Sequence, residues 1–70
     1  MSKLTGKQRH PLRIAAADAR GEIGWLGPLN AERGKWLRFM RSLSSRGWFT
    51  YLGFDTFQIT EAGRAALKDA

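Results

Sequence analysis

Cysteine is absent from this 70-residue sequence, so neither a disulfide nor a thiolate metal site can stabilise its fold. No apolar run approaches the roughly 20 residues of a membrane span, and the first residues lack the apolar stretch of a secretory signal. We therefore expect one cytoplasmic domain over residues 1–70, with residues 1–7 flexible. Its core must come from apolar side chains alone.

Residues that carry enzyme chemistry are also scarce. His10 is the single histidine, and the six carboxylates are scattered along the chain rather than paired. The sequence contains neither a glycine-rich phosphate loop nor the ligand spacing of a metal site. We expect no catalytic residue, no metal site and no cofactor.

Acidic residues are half as numerous as basic ones, which leaves a formal net charge of +6. The positive charge lies in two segments. Residues 1–13 contain four cations and no acid, and residues 31–47 contain five cations and one acid. Clustering of this kind suits a polyanionic partner such as nucleic acid.

The second basic segment has helical periodicity from Gly34 to Gly47. Leu37, Met40 and Leu43 recur at every third position and predict an apolar face. At spacings of three and four, a second face collects Lys35, Arg38, Arg41, Ser42 and Ser45. A helix that lies in the DNA major groove has this combination of a core-facing stripe and outward donors. A solvated helix whose arginines serve only solubility has it too, so the segment alone leaves both interpretations open.

Before this helix the pattern is less regular. Thr5 and Gln8 have the spacing of a capping box, but Pro11 would break a helix that followed. We therefore predict an irregular first turn, a helix at residues 11–20, and a short strand at residues 22–26.

Two interpretations remain open for residues 28–33. The spacing of Leu29, Gly34, Leu37, Met40 and Leu43 is typical of a helix-turn-helix, which favours a separate short helix with a turn at Gly34. Alternatively, Asn30 caps one continuous helix, in which Gly34 is tolerated at a cost of about 1 kcal/mol.

After Gly47 the apolar period changes from 3.6 to 2. Strands at residues 48–52 and 55–59 are predicted, joined by a tight turn at Gly53-Phe54. This register pairs Trp48 with Ile59 and Thr50 with Phe57, and Thr60 then caps a last helix at residues 61–68. The predicted core consists of Leu12, Ile14, Leu37, Met40, Leu43, Trp48, Phe57, Ile59 and Leu67.

The last part of the chain resembles a known family. Residues 59–67 have the sequence Ile-Thr-Glu-Ala-Gly-Arg-Ala-Ala-Leu, and the basic helix ends in Arg46-Gly47-Trp48. In both respects, and over roughly residues 8–68, the chain resembles bacterial winged helix-turn-helix regulators of the multiple-antibiotic-resistance type. The resemblance implies an α+β fold with three helices, a short β-hairpin wing and a C-terminal helix. It also implies transcription regulation by a helix, residues 35–46, in the major groove.

Two sets of residues are therefore expected to bind DNA. The helix would contribute Lys35, Trp36, Arg38, Arg41, Ser42 and Ser45, and the basic N-terminal segment would contribute phosphate contacts from Lys7 and Arg9. One departure from the family is that the wing tip, residues 53–55, carries no cation.

Aromatic residues in the hairpin support an alternative function. If the strand alternation holds, Phe49, Tyr51 and Phe54 cannot all be buried, and they would contact a second copy or a partner protein. The chain would then be a winged-helix protein-interaction module without specific DNA binding.

Overall fold

The computed structural model of the protein describes residues 4–69. Its elements in chain order are α1 (Gly6–Ala17), β1 (Glu22–Gly24), α2 (Ala31–Ser45), β2 (Phe49–Gly53), β3 (Thr56–Ile59) and α3 (Glu61–Asp69). The strands form an antiparallel sheet of order β1-β3-β2. The described residues thus form an α+β domain with three helices, in a layout compatible with a winged helix.

The first helix begins at Gly6, not at Pro11 as predicted. Thr5 and Gln8 form the capping box that their spacing indicated, each side chain accepting a hydrogen bond from the other residue's backbone N–H at 3.1 Å. Pro11 lies inside α1, where it removes one backbone hydrogen bond, but it is buried beside Leu12. The cap and this packing offset the lost bond. Of the segment 1–7, which we expected to be flexible, Thr5 forms the cap and Gly6 and Lys7 lie in the first turn. Residues 1–3 lie outside the described part of the chain.

Asp18 ends α1 before the predicted boundary at residue 20. Its backbone is extended, and one carboxylate oxygen accepts hydrogen bonds from the N–H groups of Arg20 and Glu22. The bonds from Glu22 and Arg20 lower the pKa of Asp18 below its usual value of 3.8. Because the folded state favours the carboxylate, the contribution of this turn to stability is present above that value and lost as the pH falls further.

Residues 28–33 do not form a helix of their own, so the favoured helix-turn-helix interpretation was wrong. The Asn30 side chain accepts from the N–H of Glu32 at 2.9 Å and caps a single helix that runs through Gly34 to Ser45. A Cβ at Gly34 would meet nothing within 4 Å, so no close contact requires a glycine at this position. The residue lies within the helix and forms no turn. Burial of Met40 and Leu43 along the same helix outweighs the cost of one exposed glycine.

The hairpin register differs by one residue from the predicted one. Phe49 pairs with Ile59 and Tyr51 pairs with Phe57, with a bulge between Tyr51 and Gly53. The turn residues are Phe54 and Asp55, whose φ angles of 52° and 57° have the sign that a type I′ turn requires.

A one-residue shift exchanges the two faces of a strand. Phe49 is therefore in the core, with 2% of its surface exposed, and the prediction that it forms an exposed contact was wrong. Trp48, predicted to be core, is half-buried beside the guanidinium of Arg46.

Phe57 on the central strand lies at the middle of the core. It is fully buried, and the rings of Trp36, Phe49 and Tyr51 surround it at centroid distances of 5.7, 6.5 and 5.0 Å. Among the described residues the buried apolar side chains are Leu12, Ala15, Met40, Leu43, Phe49, Phe57, Ile59 and Ala66. Leu37 and Leu67 are half-buried against this cluster. Ile14, predicted to be core, is 44% exposed on the outer side of α1.

The last helix packs closely against the start of the hairpin. As predicted, Thr60 caps it, its hydroxyl oxygen accepting from the N–H of Gly63 at 3.0 Å. A Cβ at Gly63 would clash with the carbonyl oxygen of Trp48 and lie 2.8 Å from the side chain of Ile59. The glycine in this segment is therefore required by the close approach of α3.

We predict that replacing Leu43 or Met40 by alanine lowers the free energy of unfolding by about 2–5 kcal/mol, because each leaves a cavity in the core. Urea unfolding measures this loss, and Leu26→Ala, at an exposed position, is the control. A loss under about 1 kcal/mol at both core positions would contradict the assignment of the buried helix face.

The two helical glycines should respond in opposite directions to alanine. Gly34→Ala should raise stability by about 0.5–1 kcal/mol, because the site has free space and alanine favours the helix. Gly63→Ala should lower stability, because its Cβ meets the Trp48 carbonyl. Thermal unfolding of the two variants, each the control for the other, checks the pair. If both changes raised stability, α3 would not lie in close contact with the Trp48 carbonyl.

Candidate nucleic-acid interface

One side of α2 is exposed along the whole length of the helix. We call this side the basic face, and it consists of Ala31, Gly34, Lys35, Arg38, Arg41, Ser42 and Ser45. Met40 and Leu43 on the opposite side are fully buried. Because these two residues set the rotation of the helix, the side chains of Lys35, Arg38 and Arg41 point toward solvent.

Two polar side chains of the basic face, Lys35 and Ser42, already make contacts within the chain. The Lys35 ammonium lies 3.6 Å from a carboxylate oxygen of Glu32, and both side chains are well exposed. The Ser42 hydroxyl donates to the carbonyl of Phe39 at 2.6 Å. An exposed pair of this kind exchanges easily with another anion, so Lys35 remains able to contact a phosphate.

Trp36 was predicted to belong to this face, and the structure places it elsewhere. It is half-buried, and its ring lies 5.7 Å from those of both Trp25 and Phe57. It therefore contributes to the core, since its position on α2 lies between the buried Met40 and Leu43 directions.

Lys7 and Arg9, the two cations of α1 predicted to contact phosphates, differ in position relative to α2. Lys7 of α1 extends across the ring of Phe39, with its ammonium 5.1 Å from the centroid. It lines a small cleft together with Lys35, so one predicted phosphate contact is beside the basic face. Arg9 is half-buried on α1 and does not line that cleft.

A bidentate ion pair, absent from our expectations, joins the hairpin turn to the start of α2. The Arg33 guanidinium donates from Nε and Nη2 to the two carboxylate oxygens of Asp55, at 2.6 and 2.8 Å. We call this pair the clamp. Hydrogen bonding to the carboxylate raises the pKa of Arg33 above its usual value. The signal in the sequence was a charged residue at position 33, where a helix-turn-helix places an apolar one.

Several large apolar side chains outside the basic face are exposed. Phe54 is fully exposed and Tyr51 half-exposed, as the sequence pattern suggested. Leu26 and Leu29 are 98% and 84% exposed. The sequence pattern had placed Leu29 in a short helix and had not singled out Leu26. Their position in the glycine- and proline-containing loop before α2 was the available signal, because such a loop buries few side chains.

Two further features of the described residues bear on the class of protein. Within residues 4–69 no helix is long and apolar enough to cross a membrane. The same part of the chain holds no group of three or more His, Cys, Asp or Glu residues that could bind a metal ion.

Comparison with family models, with curated proteins and with solved structures found no match to this chain. The described residues form a small α+β domain with one cationic helix face.

Substitutions at the two residues of the clamp should have non-additive effects on the free energy of unfolding. Arg33→Met and Asp55→Asn should each lower stability, and the double variant should lose less than the sum of the two, because either single change leaves one partner unpaired. A double-mutant cycle by urea unfolding measures the coupling. The exposed pair Glu32–Lys35 is the matched control, and it should show weaker coupling. Equal coupling in the two cycles would contradict a special role for the clamp.

Proposed function

We propose that this protein binds double-stranded DNA through the basic face of α2 and acts as a small cytoplasmic transcription regulator of the bacterial winged-helix type. The observation that supports this best is the division of α2 into a buried side and a continuous cationic side. A helix that is fixed to a core along one side can present the other to a groove without losing its packing.

The dimensions of α2 suit the major groove. Its 15 residues extend over roughly 22 Å, and the groove of B-DNA is about 12 Å wide, which admits one helix. Arg38 is central on the basic face, with Lys35 and Ser42 one turn away on either side. Arg38 and Arg41 are therefore the side chains we assign to base edges, since arginine donates two hydrogen bonds to guanine.

Phosphate contacts would come from cations beside this helix. Lys7 borders the same cleft as Lys35, so together they can neutralise neighbouring phosphates of one strand. Lys3 belongs to the same basic segment but lies outside the described residues. The net charge of +6 favours association with any duplex, irrespective of sequence.

The continuous α2 modifies the expected way of binding. A helix-turn-helix uses its first helix to contact the backbone and to orient the second. Here an irregular loop, residues 25–30, precedes α2. We therefore assign most of the orientation to phosphate contacts from α1, and we expect modest affinity for a single copy.

A second candidate function is a protein-interaction module without specific DNA binding. The exposure of two aromatic side chains of the hairpin, Tyr51 and Phe54, favours it, because exposed aromatic groups can pack against a partner protein. Of the three aromatic residues first considered for this surface, Tyr51 and Phe54 remain, and buried Phe49 does not.

DNA titration by fluorescence anisotropy tests the proposal. The wild type should bind non-specific duplex with a dissociation constant of about 10⁻⁴–10⁻⁶ M at physiological salt. The double variant Arg38→Ala/Arg41→Ala should bind more weakly. If both arginines contact phosphates, the log–log salt slope should become less steep by roughly 0.9 for each. If either reads a guanine, its removal should cost about 1–3 kcal/mol and relax the preference at that base pair.

A matched control removes the same charge from another helix. Arg64→Ala/Lys68→Ala takes two exposed cations from α3, so it changes the net charge equally but leaves the basic face intact. It should retain most of the wild-type affinity. Undetectable binding by the wild type at low salt, or equal losses in the two double variants, would contradict the proposal and favour the protein-interaction module.

A further inference from the structure

A cleft of about 740 Å³ lies between α1, β1 and α2, and we call it the main cleft. Much of its wall is apolar, with Ile14, Ile23, Trp36 and Phe39 among the lining residues. Ligand sites in proteins are commonly concave, mostly apolar and about 300–1,000 Å³ in volume. The main cleft therefore has the size and the wall of a binding site.

One end of the main cleft is cationic. The small cleft described above, of about 270 Å³, adjoins it, since Lys7, Trp36 and Phe39 line both. The Lys7 ammonium lies 5.1 Å from the centroid of the Phe39 ring, which places a cation where the two clefts meet. Lys35 also lines the small cleft, and its exposed pair with Glu32 exchanges easily with another anion. Two lysines can therefore contact one anionic group at this end.

The other end of the main cleft is acidic. Lys7 lies in the first turn of α1 and Asp18 is its C-cap, so the two are roughly 16 Å apart along the helix axis. Glu22 lines the cleft beside Asp18, to which its backbone N–H donates at 3.0 Å. Both backbone hydrogen bonds that Asp18 accepts go to its Oδ2 atom. Its Oδ1 atom and the Glu22 carboxylate can therefore accept hydrogen bonds from a ligand.

Cations, an apolar wall and carboxylates follow one another along the main cleft, and this order matches the parts of a nucleotide. A phosphate is attracted to the lysines, a flat base packs against aromatic side chains, and the amino group of cytosine, adenine or guanine donates to a carboxylate. A fatty acid would suit the lysines and the wall but has no donor for the carboxylates. In a duplex each base is paired and stacked, so only an unpaired base can enter the cleft.

A strand suits this site better than a free nucleotide does. Lys35 belongs both to the small cleft and to the basic face of α2, so the phosphates next to a bound nucleotide lie beside further cations. Each phosphate that is neutralised releases counterions, and a strand offers several phosphates where a free nucleotide offers one. The net charge of +6 favours the strand for the same reason.

We propose that the main cleft binds one unpaired base of single-stranded DNA, with the phosphate between Lys7 and Lys35 and the amino group of the base toward Asp18 and Glu22. This activity goes beyond the duplex binding proposed above, because neither Arg38 nor Arg41 is among the residues that line the cleft. A protein that binds single strands but not duplex would satisfy this proposal and contradict the other.

Titration of the full chain with two single-stranded decamers, one of deoxycytidine and one of thymidine, tests the proposal through tryptophan fluorescence. Binding should quench the fluorescence, because Trp36 lines the cleft. Cytosine has an amino group where thymine has a carbonyl oxygen, so the cytidine decamer should bind about tenfold more tightly. A wild type that binds neither decamer at low salt, binds them equally, or binds without quenching would overturn the proposal.

A variant within the cleft should weaken this binding. Ile14, which is 44% exposed, can accept a polar replacement without loss of the fold. Ile14→Glu should weaken binding of the cytidine decamer by about tenfold or more, because it places a charge against the wall that contacts the base. Ala17→Glu adds the same charge at an exposed position of α1 and is the matched control. The two variants should bind duplex DNA alike, and equal affinity of the two for the cytidine decamer would overturn the proposal.

A second variant separates recognition of the base from general attraction. Glu22→Gln removes a negative charge, so both decamers should bind more tightly, but the preference for cytidine should fall by about threefold or more because one acceptor carboxylate is lost. An unchanged preference would contradict the assigned role of Glu22 and overturn the proposal. Deoxycytidine monophosphate bound as tightly as the decamer would overturn it in favour of a free nucleotide. Binding of laurate, but not of the decamer, would overturn it in favour of an apolar anion.

Discussion

Burial of Phe57 on the central strand is the interaction on which the rest of the structure depends. Its ring contacts aromatic rings of α2 and β2, and its backbone pairs with both neighbouring strands. One residue therefore joins the hairpin and α2 through its side chain and the edge strand β1 through its backbone. In a 70-residue chain without disulfides such concentration is necessary, because little other apolar surface can be removed from water.

Core packing also determines which side chains of α2 are exposed. Successive residues of a helix differ by about 100° in direction, so the burial of Met40 and Leu43 leaves Arg38 and Ser42 exposed. A substitution in the core, at a position that touches no ligand, would therefore also change the orientation of the candidate DNA-binding side chains.

The clamp between Arg33 and Asp55 joins the hairpin turn to the start of α2. It pairs a cation of the first helical turn with a carboxylate. The cations farther along the helix, Lys35, Arg38 and Arg41, lie on the basic face. A polyanion is therefore attracted to the basic face more strongly than to the clamp, whose charges are paired.

The sequence by itself determined the features that depend on neighbours three or four residues apart. The caps at Thr5 and Thr60, and the separation of apolar from basic positions on α2, follow from spacing because the hydrogen bonds and faces concerned are local. Tertiary structure alone decided the hairpin register, the clamp and the continuity of α2 through Gly34. Each of these depends on contacts between residues far apart in the chain, such as Arg33 with Asp55, and sequence spacing carries no information about which distant side chains will compete for the same buried space.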